Sequence, residues 1–215
     1  MKVFAFDFDG VIIDSTKFLV ENYRKFLEKR GIKPDKEDLE FFFSNTIDNI
    51  IKYLNEKYKL NLTKKEVEDY FFIEEKRFLD GFKESDHINE LKEIINYLKN
   101  KGFKMIILSH SPFERINYAI EKFRIKHLFD DIISDERILT DKIDYFTNYI
   151  HYNDVKEAYL LDDSPNLVIK AKLNNIKSFL YFNPLRITNE LAEKLSKEYH
   201  IPVIKNFKEI RHHIV

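Results

Sequence analysis

Asp7 and Asp9 close the first apolar run of the chain in Phe6-Asp7-Phe8-Asp9-Gly10, and Asp162 and Asp163 close a later run in Leu160-Leu161-Asp162-Asp163-Ser164. A third apolar run stops at Ser109-His110-Ser111. In an open parallel sheet the carboxyl ends of the strands border the ligand crevice, so motifs that end buried-type strands converge on one edge. Gathering Asp7, Asp9, Asp162 and Asp163 there sets like charges against one another, an arrangement a fold has little reason to accept unless a cation compensates. An oxygen-only donor set selects a hard cation. Mg2+ fits best, because one or two carboxylates plus waters hold it and a substrate phosphate can enter its coordination sphere. The site reads as metal plus phosphate.

Each motif has a plainer reading when taken alone. Asp-x-Asp-Gly is common in turns, while Ser109 and the Asp162-Asp163 pair also suit helix caps. A calcium loop is excluded, since Val11 stands where that loop needs an oxygen ligand and Phe18 where it needs a bidentate Glu. Conjunction on one sheet edge is what gives the three segments weight.

The elements that must position them are legible as periodicity. Apolar runs at 2–7, 103–108, 129–133, 158–161 and 176–182 are short and alternate poorly, as strands buried on both faces of a parallel sheet do, and helix-like segments separate them. This predicts an α/β, Rossmann-like parallel-sheet core. Asp14 or Ser15 suits the start of a helix that runs to about Lys29 and ends at Gly31. Ser111, Pro112 and Glu114 have capping-box spacing, Ser164-Pro165 repeats the cap-and-proline arrangement, Thr140 suits a cap, and Asn174-Asn175 suits a helix end. Residues 15–84 differ, reading as four amphipathic helices over 17–29, 35–43, 46–58 and 64–79 with no strand between them. The expected organisation is a core of 1–14 and 85–215 with a small all-helical insert at 15–84. Aromatic residues of the insert, among them Phe41, Phe42, Phe43, Tyr53, Tyr58, Tyr70, Phe71, Phe72 and Phe78, recur mostly at helical spacing and are expected to pack helix on helix rather than cage a ligand.

Composition sets outer bounds. The 215 residues carry 36 Lys and Arg against 37 Asp and Glu, a net charge of −1, which argues against a general nucleic-acid binder. The absence of cysteine excludes disulfides, zinc-thiolate sites and thiol catalysis, and it fits a reducing cytoplasm. The opening apolar run is too short for a signal peptide or a membrane span, so a soluble, unprocessed cytoplasmic protein is expected. His87, His127, His151 and His200 sit singly, and none of the histidines has a metal-ligand spacing.

FDFDGVIIDS, LSHS, the lysine of LTDKIDYF and LLDDSPN, in that order, resemble the four signature motifs of the haloacid-dehalogenase-like (HAD) superfamily, and the resemblance covers essentially the whole chain. It implies that the insert after the first strand is that superfamily's cap and that the tail forms its closing strand and helix. Asp7 is then the nucleophile that becomes an aspartyl phosphate, and Asp9 the acid and base. Mg2+ is held by the carboxylates of Asp7 and Asp162 and the backbone carbonyl of Asp9. Asp163 is either a further ligand or a residue that orients Lys142 or a metal-bound water. Ser109 and Lys142 hold the phosphoryl oxygens, with Arg137 in reserve for Lys142. An aspartate two residues after the nucleophile matches the phosphatases and phosphomutases and disfavours the dehalogenases.

Two departures from the pattern stand out. The fourth motif is an adjacent aspartate pair, and His110 replaces the small polar residue frequent beside the serine; it either touches the phosphorylated substrate or bonds to its own loop. The resulting expectation is a Mg2+-dependent, phosphoglycolate-phosphatase-like enzyme acting on a small phosphorylated metabolite. Ser15, Thr16, Phe18, Ser44, Asn45 and Thr46 are the insert residues expected near the substrate. The rivals are a phosphomutase of the same superfamily and a noncatalytic phosphate-binding module.

Overall fold

The computed structural model describes residues 1–81 and 86–214, with the side chains of Glu40, Phe43, Ser44 and Asp86 outside that description. In chain order the elements are β1 (Lys2–Phe6), α1 (Thr16–Glu28), α2 (Lys36–Ser44), α3 (Ile47–Tyr58), α4 (Lys64–Gly81), α5 (Asp86–Asn100), β2 (Phe103–Leu108), α6 (Phe113–Lys122), β3 (Asp131–Ile133), α7 (Lys142–Tyr152), β4 (Glu157–Asp162), α8 (Pro165–Leu173), β5 (Lys177–Tyr181), α9 (Asn189–Tyr199) and β6 (Val203–Ile204). The strands form one parallel sheet in the order β3-β2-β1-β4-β5-β6, with helices between successive strands. This is the α/β, Rossmann-like architecture the alternation predicts. The chain divides into two compact units, Met1–Asp14 with Glu84–Val215 and Ser15–Lys83. The second boundary expected from the sequence, between 84 and 85, lies outside the described residues.

Register in the sheet explains the converging motifs. Phe6 of β1 pairs with Ile107 of β2 and with Leu161 of β4, so the next residue, Asp7, is level with Leu108 on one side and Asp162 on the other. The Asp7 amide extends the ladder by donating to the Leu161 carbonyl at 2.9 Å, and the Ser109 amide does the same to Ile133 at 2.9 Å. Alternation along β1 sends Val3 and Ala5 into an aliphatic layer with Ile106, Leu108, Ile143, Phe146 and Leu160. Phe4 turns the other way into a three-ring cluster with Tyr159, at 5.6 Å, and Phe179, at 6.0 Å, which are themselves 5.9 Å apart. Burying such a ring removes enough apolar surface to contribute about 2–3 kcal/mol, which anchors the strand that leads into Asp7.

Local chemistry differs from the expected caps at three helix starts. Ser111 does not cap α6. The residue preceding that helix is Pro112, and the free Phe113 amide is received by the Glu136 carboxylate at 2.9 Å. Asp141 rather than Thr140 caps α7, accepting from the amides of Ile143 and Asp144. Ser164 precedes Pro165 as expected, yet its side chain makes no cap bond; its amide instead donates to Asp162 Oδ1 at 2.8 Å. Asn175 takes a left-handed φ of 61° at the hand-over to β5, as asparagine tolerates.

The helical unit has a core of its own. Tyr23 stacks on Phe42 at 4.2 Å and Phe41 on Tyr53 at 4.2 Å, around buried Phe26, Leu27, Leu54 and Phe71. Asp35 starts α2 with a reciprocal capping box to Asp38, whose fully buried carboxylate also accepts from Tyr53, Tyr58 and Lys57. Of the insert residues expected near a substrate, Asn45 donates to the Phe41 carbonyl, Thr46 caps α3, and Phe18 stacks on Phe78 at 4.2 Å. Ser15 and Thr16 are buried, and the side chain of Ser44, like that of Phe43, lies outside the described residues. No helix among the described residues is long and apolar enough to cross a membrane.

Candidate active site

Past the ends of β1, β2 and β4 the chain turns sharply and leaves polar side chains in one place. Gly10 ends the first turn with φ of 76°, a conformation that L side chains rarely adopt, and the loop closes by bonds from the Gly10 amide to Ile13 and from the Ile13 amide to Phe8. Asp7, Asp162 and Asp163 each present a carboxylate oxygen within 4.8 Å of the others, and all three are buried. Lys142, at the first position of α7 and only 2% exposed, sits between two of them. Its Nζ donates to Asp7 Oδ1 at 2.8 Å and to Asp162 Oδ2 at 2.7 Å. Arg137, the reserve for this position, is committed elsewhere, to Asp131 at 2.6 Å and the Ile132 carbonyl at 2.8 Å.

Electrostatics separates the members of the cluster. Burial is the largest influence on Asp7 and, with repulsion from Asp162, outweighs the attraction of Lys142, so its carboxyl is pushed up to about 6. Burial likewise pushes Asp163 up to about 8 against the pull of Arg186. Lys142 moves the other way from what burial alone dictates. Asp162 and Asp7 hold its ammonium above the ordinary lysine range. Asp162, not Asp163, is therefore the partner that orients Lys142. Asp163 pairs with Arg186 and accepts from Asn183 at 3.3 Å.

Ser109 is buried, and its Oγ accepts the Ser111 amide at 3.1 Å, which fixes the turn after β2. His110 lies with Nδ1 3.8 Å from Asp135, and that nitrogen has no hydrogen-bond partner among the described residues. Asp9 is held by Arg115 through both carboxylate oxygens, Nη2 reaching Oδ1 at 2.6 Å, and by the Ser111 hydroxyl. Arg115 and Arg186 were not singled out from the sequence, and Ser111 was read there only as a helix cap. Arg115 does leave a signal there, for it occupies the same helix face as Ile116, Ala119 and Ile120, and a basic residue on an apolar stripe is buried with a partner or not at all. Arg186 follows β5 in an irregular segment and leaves none.

The donor set fits a divalent cation. Asp7, Asp9, Asp162 and Asp163 face Lys142, Arg115 and Arg186, which leaves one negative formal charge in a buried space, and the oxygens of the three clustered carboxylates suit a hard ion. A divalent ion held there would leave the formal charge of the site positive.

A family model described as haloacid dehalogenase-like hydrolase matches residues 4–181. Among curated proteins, the phosphoglycolate phosphatase of Aliivibrio fischeri is 21% identical over 188 residues, covering 83% of each chain. The phosphorylated carbohydrates phosphatase of Thermotoga maritima is 26% identical over 187 residues, covering 82% of this chain and 83% of its own. The crystal structure of a β-phosphoglucomutase from Clostridium difficile shares the fold with a TM-score of 0.76 at 19% identity, over 98% of this chain and 93% of that one.

Proposed function

The chain belongs to the haloacid dehalogenase-like hydrolase family, and on that premise we propose that it is a magnesium-dependent phosphatase that cleaves a small phosphate monoester in the cytoplasm by way of an aspartyl phosphate. The observation that carries this reading is Lys142 bridging Asp7 and Asp162 at 2.8 and 2.7 Å inside a buried triad of carboxylates. A lysine so placed offsets part of the charge that burial disfavours on Asp7. It is also fixed in position before charge moves onto the phosphoryl oxygens.

Asp7, Asp162 and Asp163 are the side chains that would hold Mg2+, with the Asp9 carbonyl as a fourth donor; when bound, the ion supplies positive charge to the transferring phosphoryl group. Asp7 forms a bond to phosphorus as the ester oxygen departs, and Asp9 gives that oxygen a proton. In the second half water attacks the phosphorus, Asp9 takes its proton, and the Asp7–phosphorus bond breaks to release phosphate. Ser109 and Lys142 hold the equatorial oxygens in both halves, with His110 at the edge of the same loop. The relatives' names favour a phosphorylated two- or more-carbon metabolite as substrate.

Release of p-nitrophenolate from p-nitrophenyl phosphate tests the reading. Turnover is expected with Mg2+, and neither with chelator nor in Asp7→Asn. A wild-type rate equal to that of Asp7→Asn points to a noncatalytic binding module. A rate that depends on an added sugar bisphosphate points to a phosphomutase.

A further inference from the structure

Resting on the phosphatase reading, we propose that Arg115 is a positioning residue for the second half of the reaction: it fixes the Asp9 carboxylate as the base that receives the proton of the attacking water. Arg115 is buried on the first turn of α6, and its two terminal nitrogens take both oxygens of Asp9 in a fork. Its Nη1 also donates to Ser111 Oγ at 2.7 Å, and that hydroxyl donates onward to Asp9 Oδ2 at 2.5 Å. The guanidinium carbon lies 5.2 Å from the ring centroid of Phe8, the buried residue between the two aspartates, so the clamp is seated on the same loop that carries the nucleophile.

Forked geometry restrains rotation about the side-chain torsions of Asp9 in a way that a single ammonium contact does not. In the step concerned, the water oxygen forms a bond to phosphorus, its proton passes to Asp9, and the bond between phosphorus and the Asp7 oxygen breaks with its electron pair returning to Asp7. Asp9 then passes the proton on to the next departing ester oxygen. Arg115 touches neither substrate nor phosphorus in this account; it acts through Asp9.

The half-reactions separate this role from general structural support. p-Nitrophenolate leaves without needing a proton, so kcat/KM for p-nitrophenyl phosphate reports formation of the aspartyl phosphate and is insensitive to Asp9, whereas kcat includes attack by water. Arg115→Met is expected to lower kcat by about tenfold or more, to leave kcat/KM within about threefold, and to produce a pre-steady-state burst approaching one nitrophenolate per site. Arg115→Lys, which keeps the charge but loses the fork, is expected to fall between Arg115→Met and wild type. In the Asp9→Asn background Arg115→Met is expected to add nothing, since its target is gone. Equal losses in kcat and kcat/KM without a burst, an unchanged kcat, or a further fall on top of Asp9→Asn overturns the proposal. Wild type and Asp7→Asn run alongside keep the two readings apart, because loss of their difference sinks the phosphatase reading itself.

Discussion

Asp7 in the sheet unit and Asp38 in the helical unit are both buried carboxylates, and they are displaced in opposite directions. Burial disfavours the charge of each. At Asp38 it is outweighed by hydrogen bonds from Tyr58, Lys57, the Asp35 amide and Tyr53, which hold the carboxyl down at about 2. At Asp7 burial wins, with Asp162 adding repulsion, and Lys142 recovers only part of the cost. One carboxylate is fully satisfied by its own fold and the other is left short of positive charge. The first is a structural fastening; the second is where the proposed reading puts the cation.

The sharpest way to break the comparison is to remove the charge at Asp7. Asp7→Asn is expected to lower phosphatase turnover by about 10³-fold or more, since no nucleophile remains, while making the metal-free protein more stable. The sign follows from the raised value. Asp7 contributes its full stability when protonated, below about pH 4, and loses it as the pH rises through about 6. In chelator, thermal or denaturant unfolding should show wild type and variant converging below about pH 4 and separating by about 2–3 kcal/mol in favour of Asp7→Asn at pH 7. A destabilised Asp7→Asn at pH 7 would mean that the Lys142 ion pair outweighs burial, and that the contrast with Asp38 is false.

Asp38 supplies the converse. Asp38→Asn replaces an acceptor of four bonds with a group that must turn an amide toward donors, and a cost of about 2–3 kcal/mol is expected. Because the folded-state value is lowered, wild type should lose about 2 kcal/mol as the pH falls from about 4 to about 2, and Asp38→Asn should not. Hydrogen exchange of the amides of α2 and α3 localises the effect to the helical unit. Activity per folded molecule should stay near wild type. Exchange that accelerates equally in the sheet unit would show that Asp38 fastens something beyond its own helices.

The same two regions differ in how much of them the sequence disclosed. Strand periodicity was sufficient to mark a parallel sheet and to bring Asp7, Ser109 and Asp162 to one edge, because a parallel register fixes where a strand ends relative to its neighbours, but it did not order the strands. Lys142 was legible only through the superfamily resemblance. Its immediate cap is Asp141 rather than Thr140, a difference that turns on which side chain meets the first free amides. Ser111 looked like a cap because its spacing to Glu114 is right, but Asp9 and Arg115 compete for its hydroxyl and win. Charge partners such as Arg186 for Asp163 are set by the path of an irregular segment, which has no period to read. In the helical unit, likewise, periodicity marks the helices but does not reveal that Tyr53, Lys57 and Tyr58 share one acceptor.

The smallest expected effect concerns the cation. Asp7, Asp162 and Asp163 gather their oxygens within 4.8 Å, but only Asp163 pairs with an arginine, so its share in holding the ion is the least direct of the three. Mg2+ at ten times its dissociation constant should stabilise the wild-type protein at pH 7 by about 1.4 kcal/mol, read as a rise in melting temperature over the chelated protein. Asp163→Asn should weaken Mg2+ binding by about tenfold and so erase most of that rise at the same concentration, whereas Asp38→Asn should leave it intact. The comparison then becomes quantitative: ion-dependent stability belongs to the carboxylates that the fold leaves short of charge, and none of it to the one that four donors already satisfy. An undiminished rise in Asp163→Asn would assign Asp163 to Arg186 alone and leave the ion to Asp7, Asp162 and the backbone of Asp9.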